Sequence, residues 1–529
     1  MDGGGKVRGN HQKFLTFLYL LGGSLSLGLG EAEKVWGQSM ALGELGISVD
    51  SLWRSPYQLT GQKIALGQVE MGRPSRFGLD KLSLWPPLIP VVGVFFRSQG
   101  AMANLNLDTH AAQVASVLVG RHKGFSGVAP GASLYAGAFG PLKSSFQGEQ
   151  CITLQNIAQQ NGGDVRAINL SFGDSLVRDS RLQARLDGEG LLSQCLDWLG
   201  RGENVLMVVA GNQGRGGIPL PTDHYNGLTI GFTRPYQGHY SRLDFANLSG
   251  LPQESNTGGR HSVSLVAPGT DITVYDLKGK LKKVTGSSFA APQVVGTVAL
   301  LQEWADRHLN KALDPNFAHR RYEVMKAILI NAADKIGDRG DGAFLGMSRT
   351  IYTPQLQTWL QSPAYINSRL PLDPRLGSGQ LSAPRALRQF QNGPQAPTQP
   401  VQAIGWDYGL IAPAQSVVYP LALPLAQHSF VALTLVWSRL VHLQDHNNNG
   451  QYDLGESFTS QNLANLELSL ETATTARVCT SRSRVDNLEH IFCPIPQTGP
   501  YRLRVEFKGG ANSLPPQAYS LAWWTVSAP

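Results

Sequence analysis

A serine set between a strand and a helix constrains this chain most. Val274-Tyr275 and residues 281–284 read as an extended approach, and residues 292–304 as an apolar helical run. Between them stands Gly286-Ser287-Ser288-Phe289-Ala290-Ala291-Pro292. A serine in that place lies near the positive end of a helix dipole, where a developing anion is stabilised. The small residues around it let other backbone segments come close. A helix cap with small packing residues would carry a similar string. Two apolar runs point the same way as the junction. Residues 63–69 and 205–210 read as buried parallel strands. The second ends in Gly211-Asn212, at the sheet edge where open α/β folds bind ligands. The fold class expected for this part of the chain is α/β with a parallel sheet.

Gly-Ser-Ser-x-Ala-x-Pro resembles the nucleophile motif of the subtilisin-like serine proteases, with Ser287 in the place usually held by threonine. The resemblance implies Ser288 as nucleophile. Leu107-Asp108-Thr109-His110-Ala111-Ala112, followed by Gly127-Val128-Ala129-Pro130, looks like the family's histidine region and implies His110 as general base. The family's Gly-Thr-His after that histidine is replaced by Ala111-Ala112-Gln113. In this register the Asn212 side-chain amide and the Ser288 N–H would hold the oxyanion. Ile168-Asn169-Leu170-Ser171-Phe172-Gly173 is similar to the family's substrate-binding strand, which implies that Ser171, Phe172 and Gly173 pair with an extended peptide. Leu265-Val266-Ala267-Pro268-Gly269 resembles the turn before the nucleophile. The resemblance spans about 59–387.

The acid departs from the family pattern. An Asp-x-Gly is usual after the first strand, and this chain has Glu70-Met71-Gly72. A triad acid orients the imidazole and stabilises the imidazolium without taking the proton. Glutamate does this if the backbone accommodates one more methylene. Asp108, two residues before His110, is the rival carboxylate. A third reading leaves the triad without its acid and the protein weak or inactive.

Five regions are expected. Residues 1–32 read as a signal peptide: Lys6, Arg8 and Lys13 precede an apolar stretch over 14–29, and Gly30-Glu31-Ala32 suits cleavage. An uncleaved anchor helix is the alternative. Residues 33–58 form a short N-terminal segment, too short for a folded pro-domain. Residues 59–390 form the peptidase domain, and within it 334–376 reads as a surface loop or small subdomain. A Pro/Gln-rich linker over 391–403 follows. Residues 404–529 carry repeated short strands with turn residues between, which predicts an antiparallel β-sandwich similar to the jelly-roll domains appended to many secreted subtilases. A chain of 529 residues suits two domains.

The formal charge of +7 is mild for this length, and no basic cluster interleaved with aromatics occurs, so nucleic acid is not an expected partner. Polypeptide substrates are, with a monomer, no membrane span after signal removal, and an exported location. Four cysteines in an exported chain favour disulfides. Cys479–Cys493 would staple two nearby strands, whereas Cys151 and Cys195 read either as a pair or as buried thiols. Asp445-x-Asn447-x-Asn449-Gly450-Gln451 with Glu456 matches a calcium-loop spacing, with Asp445, Asn447, Asn449, Gln451 and Glu456 as ligands. A polar hairpin made of turn formers reads equally well. No cofactor is expected for the chemistry itself. The functional expectation is a secreted serine endopeptidase. Its competitor is a non-catalytic peptide-binding or adhesive protein on the same scaffold.

Overall fold

The computed structural model describes residues 40–529, except 85, 123–124, 142–145, 212–218, 245–255, 310–311 and 509–514. The signal-peptide reading of 1–32 lies outside the described residues.

The apolar runs become the centre of a mostly parallel sheet. Its strands lie in the order His239–Leu243, Leu228–Tyr236, Leu206–Ala210, Val165–Leu170, Ala65–Glu70, Ser133–Ala138 and Val91–Phe96. Ala65–Glu70, Val165–Leu170 and Leu206–Ala210 are buried along their whole length, because helices cover both faces. Side chains alternate between two layers. Leu66, Ala167 and Val208 pack with the helices Thr109–Val119, Ala291–His308 and Tyr322–Asn331. Val69, Ile168 and Val209 pack with Gln147–Ala158 and Leu191–Gly202. The Cys151–Cys195 disulfide ties the last two helices together, with Cα atoms 5.9 Å apart.

The C-terminal region is an antiparallel sandwich. One sheet runs Ile404–Ile411, Gln517–Trp524, Phe430–Trp437, Leu488–Pro494, and the other Ser416–Pro420, Tyr501–Lys508, Asn465–Thr472, Arg477–Ser481. Tyr501–Lys508 alternates between core and surface, as a one-sided strand should. Phe430–Trp437 is buried throughout, because its outer face lies against the helix Tyr322–Asn331 of the first domain. Cys479–Cys493 joins the two sheets at their edge.

Two connecting segments are packed closely into the structure. Residues 334–376, read as a surface loop or small subdomain, lie between the domains: Ile336, Leu345, Met347 and Trp359 pack against Phe430, Ala432, Phe492 and Trp524. Trp359 is 1% exposed. These apolar residues follow no helical or strand period, so their burial had no sequence signature. The run at 391–403 is knitted onto the sandwich: Gln395 N–H donates to Trp406 O at 2.9 Å and Val401 N–H to Pro420 O at 2.8 Å.

The segment after Met40 is part of the core. Leu42, Ile47, Val49, Leu52 and Leu59 are buried beneath the helix Ala291–His308 and its neighbours. Their backbone is tied down along its length. Leu45 O accepts Tyr240 N–H at 2.8 Å, Ile47 O accepts Ala383 N–H at 3.0 Å and Thr60 O accepts Gly131 N–H at 2.7 Å.

Candidate active site

Glu70 is the last residue of the first strand, in register with Ala138 at the carboxyl edge of the sheet. It is 2% exposed. His110 is the second residue of the helix Thr109–Val119, which Asp108 caps through a side-chain bond from Ala111 N–H at 2.8 Å. The two side chains meet, with His110 Nδ1 3.3 Å from Glu70 Oε2. Two contacts hold strand and helix at that spacing. Gln68 Nε2 donates to Ala111 O at 2.9 Å. Gly72 provides the room: a Cβ there would stand 2.3 Å from the Asp108 Cβ. The Glu-x-Gly string therefore carries a steric requirement as well as a carboxylate. Asp108 is used as a helix cap, and it reaches His110 only through its charge. The other Glu70 oxygen, Oε1, has no hydrogen-bond partner among the described residues.

Burial works against the imidazolium of His110. The attraction and hydrogen bond of Glu70, with the Asp108 charge behind them, outweigh it and hold the His110 pKa above the usual imidazole value.

Ser288 follows the antiparallel pair Ile272–Tyr275 and Leu281–Val284, sits in a single 3₁₀ turn, Ser287–Phe289, and precedes the helix Ala291–His308. Its side chain is half-buried. The ring of Phe289 stands 5.7 Å from that of His110, which places the Ser287–Phe289 turn and His110 side by side. Ser288 also touches the expected substrate strand. Ser171 Oγ donates to Ser288 O at 3.0 Å, Ser288 Oγ donates to Ser171 O at 3.5 Å, and Asn169 Nδ2 donates to Ser171 Oγ at 2.8 Å. Phe172 is buried against Phe139 at 4.7 Å. Gly173 continues the chain along the same edge.

Asn212 lies outside the described residues. Gly211 before it ends the strand Leu206–Ala210 and donates its N–H to Ile230 O at 2.8 Å. Glu70, His110, Ser288 and residues 171–173 thus come from four separate stretches and converge on one sheet edge. The sequence reading passed over Gln68, Asn169 and Phe289. Each lies within two residues of a site residue, so neighbourhood was the only available signal.

The loop at 445–456 is far from this edge in sequence and different in character. Asp445 Oδ2 accepts Gly450 N–H at 2.7 Å, and Asn447 Oδ1 accepts Asn449 N–H at 3.0 Å. Asn449 Oδ1 accepts Gln451 N–H at 2.7 Å, and the two Glu456 oxygens accept His446 and Asp453 N–H at 2.8 Å. These oxygens are turned onto the loop's own amides. Among the described residues no three His, Cys, Asp or Glu side chains converge to hold a metal ion.

Residues 98–348 match the model of the Subtilase family. No curated protein matches the chain. Solved structures with a similar fold include the prenylagaramide maturation protease PagA, at 21% identity over 64% of this chain and 98% of that one, TM-score 0.42. MycP1 from Mycobacterium smegmatis is similar at 17% identity over 66% and 84%, TM-score 0.40. A cold adapted subtilisin-like serine proteinase is similar at 18% over 57% and 92%, TM-score 0.38. The family match contains His110 and Ser288 and begins after Glu70. The chain therefore carries a serine-peptidase domain of the subtilase family.

Proposed function

We propose that this protein is an exported serine endopeptidase working through Ser288, His110 and Glu70. The observation that carries the reading is the 3.3 Å approach of the buried Glu70 carboxylate to His110 Nδ1, at the sheet edge that also bears Ser288. Ser288 Oγ attacks the peptide carbonyl while its proton passes to His110 Nε2. The tetrahedral oxyanion is held by Ser288 N–H and by the Asn212 amide. The His110 proton then moves to the departing amine and the C–N bond breaks, which leaves an acyl ester on Ser288. Water, deprotonated by the same imidazole, hydrolyses that ester. Glu70 keeps the proton on Nδ1 and stabilises the imidazolium. Substrate lies extended beside residues 171–173. The two disulfides support an oxidising compartment and hence export.

Fluorophosphonate labelling of the purified chain tests the reading. Stoichiometric labelling that vanishes in Ser288→Ala is the expected result. A folded wild-type chain that takes no label would overturn it in favour of the second reading, a peptide-binding protein without turnover. Glutamate in place of the family's aspartate, together with the turn of Ser288 Oγ toward Ser171 O, favours that second reading.

Structural calcium at 445–456 is a separate proposal supported by donor spacing alone. A fall in melting temperature on adding EDTA, reversed by calcium, is expected if it is right. An unchanged melt removes it.

A further inference from the structure

A cavity of about 230 Å³ lies between the 334–376 segment and the edge of the sandwich. We propose that it binds a planar aromatic ring carrying one O–H or N–H donor, of the phenol or indole class, with His490 Nε2 accepting that hydrogen. None of the lining residues belongs to the peptidase site, so the inference goes beyond the peptidase reading.

The cavity follows from how two open sheet edges are covered. Arg477–Ser481 is the last strand of one sheet and Leu488–Pro494 the last of the other. The Cys479–Cys493 disulfide bridges these edges and forms one wall. Residues between 364 and 370 form another. They are pinned where Arg482 N–H donates to Ser368 O at 2.7 Å and Arg482 Nε donates to Ser368 Oγ at 3.2 Å. Trp359 centres the aromatic part. The rings of Tyr365, His490 and Phe492 meet it edge to face at 6.2, 5.9 and 5.7 Å. All four rings line the cavity, so an occupant ring extends the same packing.

A chain of hydrogen bonds fixes what His490 offers. Gln389 Nε2 donates to Gly405 O and Trp523 O, both at 3.3 Å, which sets the orientation of that amide. Gln389 Oε1 therefore accepts Asn331 Nδ2 at 3.3 Å, and Asn331 Oδ1 accepts the Thr434 hydroxyl at 2.9 Å. Thr434 stands directly across the strand pair from His490, and its Oγ1 is 2.8 Å from His490 Nδ1. A hydroxyl has one hydrogen, and Asn331 takes it. Thr434 is thus the acceptor toward His490, and Nδ1 carries the proton. Burial, with the Lys335 charge behind it, holds the His490 pKa well below the usual imidazole value, so the ring is neutral and Nε2 is a bare acceptor. Nε2 has no hydrogen-bond partner among the described residues, and His490 is 4% exposed. A buried acceptor left in that state costs free energy until a donor meets it.

The other lining groups narrow the occupant. None of them is Asp, Glu, Lys or Arg, so nothing in the wall selects an ion. Lys335 is not in the wall. Its Nζ lies 5.4 Å from the Phe492 ring and 6.0 Å from that of Trp359, and donates to Ala333 O at 3.3 Å. Trp359 Nε1–H is already taken by Gly377 O at 3.0 Å. A purely aliphatic occupant would leave Nε2 without its hydrogen, and a polyhydroxylated one would bury hydroxyls against rings. A cavity of about 150 Å³ holds benzene. The larger volume here suits one substituted ring or a fused pair.

Saturation-transfer NMR titrations on the full chain, carrying Ser288→Ala to prevent self-cleavage, test the site. p-Cresol and p-xylene share a shape and differ in one O–H. One hydrogen bond corresponds to roughly a threefold to tenfold change in Kd, so p-cresol should bind tighter than p-xylene by that factor. In His490→Phe, which keeps a ring and removes the acceptor, the two should bind alike. Val478→Trp, at a half-buried position in the wall, fills the cavity and should abolish binding of both. Failure of p-cresol to bind, equal affinities in wild type, or a preference that persists in folded His490→Phe overturns the proposal. So does binding that ignores Val478→Trp, and where His490→Phe does not fold, the wild-type ratio and Val478→Trp decide. N-acetyltyrosine amide then identifies the source of the ring. Binding as tight as that of p-cresol marks the side chain of a polypeptide, and no binding marks a free small molecule, with His490 as acceptor in both.

Discussion

Glu70→Gln lowers kcat by about 10⁴, the size of loss expected when a triad acid can no longer hold the imidazole tautomer. The carboxylate is buried and stands 3.3 Å from His110 Nδ1, so a neutral amide leaves the ring oriented wrongly rather than merely less basic. Glu70→Asp is the sharper variant, because it installs the residue that the family normally uses. One methylene less draws the carboxylate back, and the backbone has little freedom to follow. The strand is in register with Ser133–Ala138, and the space at Gly72 is already filled by Asp108. A misplacement near 1 Å costs roughly 10²-fold. Glu70→Asp is therefore expected to fall well below wild type.

The pH profile separates the two carboxylates. His110 must be neutral to accept the serine proton. Glu70 raises the His110 pKa against the effect of burial, so the acid limb of kcat/KM lies above the ordinary imidazole value of about 6.5. In Glu70→Gln the burial stays and the main attraction goes, so the limb moves to lower pH even as the plateau collapses. An unmoved limb with near-normal turnover would shift the acid role to Asp108. Circular dichroism of each variant separates loss of chemistry from loss of fold.

Trimming the chain to begin at Gln62 unfolds it. The segment before it contributes Leu42, Ile47, Val49, Leu52 and Leu59 to the core. At about 1.5–3 kcal/mol for each buried aliphatic side chain, their loss removes roughly 7–15 kcal/mol as an upper estimate. That is the size of a whole domain's stability, about 5–15 kcal/mol. Lost with them are the bonds that Glu303 Oε2 accepts from Thr60 and Gly61 N–H at 2.7 and 2.6 Å, leaving a buried carboxylate without two of its donors. A thermal melt of the truncated chain checks this. A chain starting at Gln62 that melts with the full-length protein would show the segment to be dispensable.

Much of the site was legible because its signals are local. The run at 205–210 is a buried strand by its own composition, and the junction at 286–292 displays a serine at a helix start. Glu70 is legible as the end of such a run. The alternation in Tyr501–Lys508 announces a one-sided strand without reference to its partner. The Cys479–Cys493 pair was legible from two nearby strands, whereas Cys151 and Cys195 were left open between a pair and buried thiols. Cys151 and Cys195 pair because two helices pack side by side, which no spacing of 44 residues announces.

The sequence by itself marked the main secondary elements, the candidate residues Ser288 and His110, and a carboxylate at the end of the first strand. Each depends on residues within a turn or two of one another. Only the tertiary structure decided that Asp108 caps a helix while Glu70 meets His110. It alone showed that residues 40–61 contribute to the core, that 334–376 pack between the domains, and that Phe458 closes a cavity with Phe146. Those facts join residues as far as about three hundred positions apart, as between Gln155 and Tyr452. At that range contact follows from how covered faces pack, and hydrophobic packing has no direction or spacing of its own to leave in a sequence.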